Sequence, residues 1–116
     1  MKTIDSILTL PKPNNEFLQL IEQERARVNR NGSNFTLVLL QLSDGLNDDK
    51  EVQSNVLHTI RQRIRTIDQV GYYDKGHIGL LLPQTSRDGA TKMVGDLWRN
   101  EKFVANFSSY RLYCYP

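Results

Sequence analysis

Apolar residues early in the chain fall at Phe17, Leu20, Ile21 and Val28, the three-and-four spacing that lines one side of an α-helix. Glu16, Glu22 and Glu24 precede Arg25, Arg27 and Arg30, a charge order that suits the helix dipole. The pattern predicts a helix over residues 16–30, with Asn14 or Asn15 as cap and Asn31-Gly32 as the stop. The periodicity then changes. The run Leu37-Val38-Leu39-Leu40-Gln41-Leu42 is too continuous for a half-exposed strand and predicts a central strand buried on both faces. After a polar turn, Val52, Val56, Ile60 and Ile64 recur every four residues, with Leu57 widening the stripe. This predicts a second helix over residues 50–66, capped by Asp48 or Asp49.

The segment DQVGYYDKGHIGLLLP, residues 68–83, reads as a hairpin. Strands are expected over 69–73 and 77–82, joined by Asp74-Lys75-Gly76 in a type I turn that leaves Gly76 in a left-handed position. Pro83 ends the second strand. Thr85 or Ser86 then caps a third helix to about residue 100, with Ala90, Met93, Val94, Leu97 and Trp98 on its buried side. The aromatic stretch SSYRLYCYP closes the chain as a strand. Leaving out the first helix, the order is βαββαβ. The expected fold class is therefore α+β: a ferredoxin-like, four-stranded antiparallel sheet with two helices on one face, plus an extra N-terminal helix.

At 116 residues, with 39% apolar and 24% charged residues, the chain has the makings of one domain with one two-layer core. A formal net charge of +2 gives no reason to expect a nucleic-acid polymer as partner. Cys114 is the single cysteine, so an internal disulfide is impossible and a cysteine-based zinc site lacks ligands. A reducing, cytoplasmic setting is expected. The start MKTIDSILTLPKPNN lacks the pattern of a secretory signal, and no apolar run approaches the ~20 residues that span a bilayer.

The stretch RTIDQVGYYDKGHIGLLLPQT, within this order of elements, resembles the GGDEF family of bacterial diguanylate cyclases. The resemblance covers about residues 17–116 and implies a nucleotide-cyclase-like fold. In the family, a segment like D-x-V-A-R-Y-G-G-D-E-F-x-x-L-L-P forms the active hairpin. Its glycines admit the triphosphate of GTP. Its acidic pair supplies a magnesium ligand and catalytic support, and a further carboxylate comes from the first strand. In this chain Asp74 and Lys75 stand at the glycine places, Gly76 and His77 at the acidic places, and Gln41 at the first-strand carboxylate. Mg²⁺ prefers charged oxygen, which a bare glycine, an imidazole and a neutral amide do not offer. The resemblance thus implies the shape of the cyclase without its chemistry, with no catalytic residue, metal or cofactor.

One family motif is retained. An R-x-x-D placed before the hairpin is the family's inhibitory site for cyclic di-GMP, and Arg65 and Asp68 keep both pattern and spacing. A guanidinium binds phosphate or the guanine acceptor edge in a fork, while a carboxylate accepts from guanine N–H groups. Arg61 and Arg63 add positive charge nearby. Equally, Arg65 would suit a helix C-terminus and Asp68 a strand start. The resemblance implies residues 15–116 as a degenerate GGDEF-like domain after an N-terminal extension, residues 1–14. Because full members continue with a further helix and strand, it also implies a piece of a longer polypeptide. Partners implied are cyclic di-GMP, a second copy meeting through the N-terminal helix, or a fused output domain. Such modules are attached to signalling enzymes and to polysaccharide sugar transferases.

Other candidates are weaker. His58 and His77 show no cysteine or carboxylate at ligand spacing, and Ser43-Asp44, Ser108-Ser109 and Cys114 lie in no nucleophile context. Tyr110, Tyr113 and Tyr115 read as cross-strand packing or as a ligand platform. An RNA-binding version of the fold needs aromatic residues on its two central strands, where TLVLLQL and HIGLLLP are aliphatic.

Overall fold

A computed structural model of the chain describes residues 2–3 and 11–116. Its strands are β1 (Lys2–Thr3), β2 (Phe35–Leu42), β3 (Gln69–Asp74), β4 (His77–Pro83) and β5 (Phe107–Tyr115). Its α-helices are α1 (Asn15–Asn31), α2 (Lys50–Arg61), α3 (Arg87–Trp98) and the single turn α4 (Glu101–Val104). The sheet runs β1-β5-β2-β4-β3. The last four strands are mutually antiparallel, while β1 pairs parallel to β5 through Lys2 with Arg111 and Thr3 with Leu112. The four antiparallel strands and their helices are the α+β arrangement expected from the βαββαβ order. The short parallel edge was not anticipated. Of the expected extension, residues 1 and 4–10 lie outside the described residues.

Polar side chains set the helix starts. Asn14, Asp49 and Ser86 accept from the backbone N–H groups of Phe17, Val52 and Gly89, at 2.8, 3.1 and 3.2 Å. Gly32 ends α1 in a left-handed conformation at φ 70°, its N–H donating to the Val28 carbonyl. The second helix stops at Arg61, short of the expected residue 66. Two turns follow instead. Arg63 N–H donates to the Ile60 carbonyl and Asp68 N–H to the Arg65 carbonyl, while the Asp68 carboxylate takes the Arg65 N–H that a longer helix would have used.

Side chains of β2 alternate between two separate cores, which corrects the expectation of one. On one face Val38, Leu40 and Leu42 pack with Val56 and Ile60 of α2, Ala90 and Val94 of α3, and Leu112. On the other, Phe35, Leu37 and Leu39 pack with Phe17, Ile21 and Val28 of α1, and with Tyr73 and Leu81. Helix α1 is therefore a third layer. Its apolar stripe is buried on its own sheet, so a second copy would meet its charged side.

The seat of α1 is made by glycine. Gly71 and Gly79 are direct cross-strand partners, and a Cβ built on Gly79 would lie 2.6 Å from Phe17 Cζ. The Phe17 ring needs the space that this pair leaves on the sheet. Gly76 is different. Its φ is not positive, which corrects the expected left-handed turn, and a Cβ there meets only Asp74 Oδ1 at 3.9 Å. The irregularity lies between Tyr72 and Asp74, leaving a two-residue connection of Lys75 and Gly76.

Gly79→Ala is expected to destabilise the fold by about 1–3 kcal/mol through overpacking against Phe17, whereas Gly76→Ala should cost under about 0.5 kcal/mol. Urea denaturation of both variants checks this. Equal effects would contradict the described seat.

Candidate functional site

Two places collect the residues singled out in the sequence: the end of the sheet at the β3–β4 connection, and a groove beside the loop between α2 and β3.

At the first, one polar row crosses the sheet. Gln41 of β2 is in register with His77 of β4 on one side and Ser109 of β5 on the other, and Asp74 of β3 pairs with His77. The row thus brings Gln41 and His77, two of the residues singled out by the resemblance, beside Asp74 and Ser109. They are engaged with one another. Asp74 Oδ1 accepts the Gly76 N–H at 2.9 Å and lies 2.8 Å from His77 Nδ1. Ser109 Oγ donates to Gln41 Oε1 at 3.1 Å. Lys75, at the tip, pairs with Asp48 at 3.1 Å, both side chains well exposed. The bond from Asp74 to the backbone two residues on is usual for an Asp that opens a turn, whereas its contact with His77 was not anticipated. The signal was available, since Asp and His three apart across a two-residue turn face each other.

This arrangement does not fit Mg²⁺. The ion needs several oxygens free to face it. Here the available groups are an imidazole, a single carboxylate, Asp74, whose Oδ1 already takes two contacts, and an amide oxygen already accepting from a hydroxyl. Among the described residues no cluster of three or more His, Cys, Asp or Glu side chains is placed to hold a metal ion.

At the second place Arg65 and Asp68 meet as a fork. Arg65 Nη2 donates to Asp68 Oδ1 at 2.8 Å and Arg65 Nε to Asp68 Oδ2 at 3.1 Å. Nη2 also reaches the Pro83 carbonyl and Thr85 Oγ1, both at 2.8 Å. The Asp68 side chain is 4% exposed and that of Arg65 52%. The hydrogen bond with Asp68, aided by its charge and partly opposed by burial, holds Arg65 above the usual arginine range. The pair therefore clasps the loop before β3 onto the junction between β4 and α3.

That junction carries the one positive φ among described non-glycine residues, Gln84 at 53°. Gln84 N–H donates to the Asn34 carbonyl at 2.7 Å, and the Thr85 carbonyl accepts from Asn34 Nδ2 and Thr36 Oγ1. A groove of about 380 Å³ opens here, with Arg63, Arg65, Gln84, Thr85 and Met93 on its walls. Gln84 gave no signal in the sequence, since backbone strain of this kind is imposed by the neighbours.

The remaining candidates separate. Tyr110 packs on Trp98 with ring centroids 4.8 Å apart, while Tyr115 meets Phe35 at 5.3 Å on the opposite face. The three tyrosines thus form no common platform, because odd and even positions of a strand point apart. His58 is exposed beside Gln62, and Cys114 Sγ lies 3.6 Å from Thr36 Oγ1.

No family model matches the sequence, and no curated protein does. Among solved structures, the crystal structure of a DGC protein from Thermotoga maritima matches with a TM-score of 0.74 at 16% sequence identity. The match covers 94% of this chain and 85% of that one. It is a likeness of fold.

Tyr73, buried beneath α1, donates its hydroxyl to the Pro11 carbonyl at 2.6 Å. Burial, reinforced by the charge of Asp74, raises its pKa to about 12 from 10.0. The neutral phenol is favoured in the fold, so this stabilisation is complete below the unfolded pKa. It is lost as pH rises from about 10 through about 12, by up to roughly 2–3 kcal/mol. Tyr73→Phe should cost about 1 kcal/mol at pH 7 and flatten this part of the alkaline decline. Urea midpoints measured from pH 8 to 12 test it. An unchanged decline in the variant would contradict the assignment.

Proposed function

We propose that this domain is a catalytically silent GGDEF-like module. It serves as a regulatory or interaction element of a bacterial signalling or polysaccharide-synthesis protein. The observation that carries the reading is the polar row at the sheet end. By the resemblance, the positions that would grip magnesium and activate a hydroxyl hold Gln41, Gly76 and His77, and the polar side chains present are engaged with one another through Asp74 Oδ1 and Gln41 Oε1. Phosphoryl transfer needs neutralisation of the phosphate charge and an activated nucleophile, and this donor set supplies neither. The likeness to a DGC protein supports the frame on which such a module is built.

A second reading, a receptor for cyclic di-GMP, is favoured by the groove beside Arg63 and Arg65. Against it, a ligand that takes the guanidinium fork must first displace Asp68, which is buried and already occupies it. We rank the interaction module first for that reason. RNA recognition is disfavoured, because the sheet face on which bases would stack is covered by Phe17, Ile21 and Val28 of α1.

Incubation with GTP and Mg²⁺ is expected to give no cyclic dinucleotide by chromatography, and formation of one would overturn the inactive assignment. Calorimetric titration with cyclic di-GMP should give no heat. Saturable binding that disappears in Arg65→Ala would instead establish the receptor. Asp68→Asn is expected to destabilise the fold by about 1–3 kcal/mol, since it breaks a charge-assisted pair whose acceptor is buried. Thermal or urea unfolding checks this, and a neutral effect would remove the clasp.

A further inference from the structure

A second hollow lies away from both places described above, where α1, residues 11–13 and strands β2, β3 and β5 meet. It has a volume of about 360 Å³. Ligand pockets start at roughly this size and combine apolar walls with a few polar groups that fix orientation. The walls here are Leu18, Ile21, Phe35 and Leu37, with the rings of Tyr73 and Tyr113. Three exposed charges also line it: Lys12, Glu22 and Arg25. Among the described residues no ion pair engages Lys12 or Arg25. Arg25 instead lies over the Tyr115 ring, its guanidinium carbon 5.2 Å from the centroid, a cation–π contact that occupies no hydrogen-bond acceptor. Two cations and one carboxylate leave a single positive charge beside an apolar interior.

We propose that this hollow binds a small amphipathic monoanion, specifically a medium-chain aliphatic carboxylate. Its chain lies among Ile21, Phe35 and Leu37, and its head meets Lys12 and Arg25. The charge selects a carboxylate over an alcohol or an amine of the same length. The proposal does not depend on the inactivity of the hairpin or on the Arg65 groove.

The test uses the full chain and sodium octanoate, with n-octanol and octylammonium as controls. Calorimetry should give one octanoate per chain at roughly millimolar affinity or tighter. Backbone amide shifts should change at Ile21, Leu37 and Tyr113. Lys12→Gln combined with Arg25→Gln, both on exposed residues, should weaken octanoate about tenfold and leave octanol unchanged. The proposal is overturned if octanoate produces neither heat nor shifts at those positions. Equal affinity for octylammonium, or unchanged octanoate affinity in the double variant, overturns it as well.

Discussion

A strand that must be buried on both faces sets the terms for this molecule. Along β2 every residue is buried except Gln41, so the sheet has to be covered on each side. Helices α2 and α3 cover one side and α1 the other. That requirement turns the leading helix, outside the βαββαβ repeat, into a structural layer. It also fixes where the strand becomes accessible. Gln41 is that opening, and it falls in the same row as Ser109, His77 and Asp74.

What stands in that row decides the chemistry. An active hairpin of this shape requires oxygen ligands held ready for a cation. Here the side chains close on each other across the strands, through Asp74 with Gly76 and His77 and through Gln41 with Ser109. The Arg65–Asp68 pair follows the same logic elsewhere. Its guanidinium and carboxylate join two loops and brace the strained backbone at Gln84. The frame is similar in fold to that of a DGC protein, and these polar groups engage one another within the fold.

The hydrophobic pattern made the elements legible because each cap and stop is local chemistry: Asn14, Asp49, Ser86 and Gly32 act within a few residues of their own position. Features built across the sheet were not legible. The role of Gly79 depends on a ring brought from α1, and the end of α2 on a carboxylate several residues downstream. The loop glycine Gly76 suggested a left-handed turn because such turns commonly need one, yet the irregularity at Tyr72 to Asp74 changes the connection and removes the need. At the candidate site the residue identities could be read from the chain. Their mutual engagement required the strand register.

The most direct measurement of the central claim is site-resolved relaxation with Mn²⁺, a paramagnetic substitute for Mg²⁺, added together with GTP. The account predicts that amides of residues 41 and 74–77 broaden no more than other exposed positions of the domain. Selective, saturable broadening at those residues would contradict it, because a cation would then be held where the side chains are described as satisfying each other.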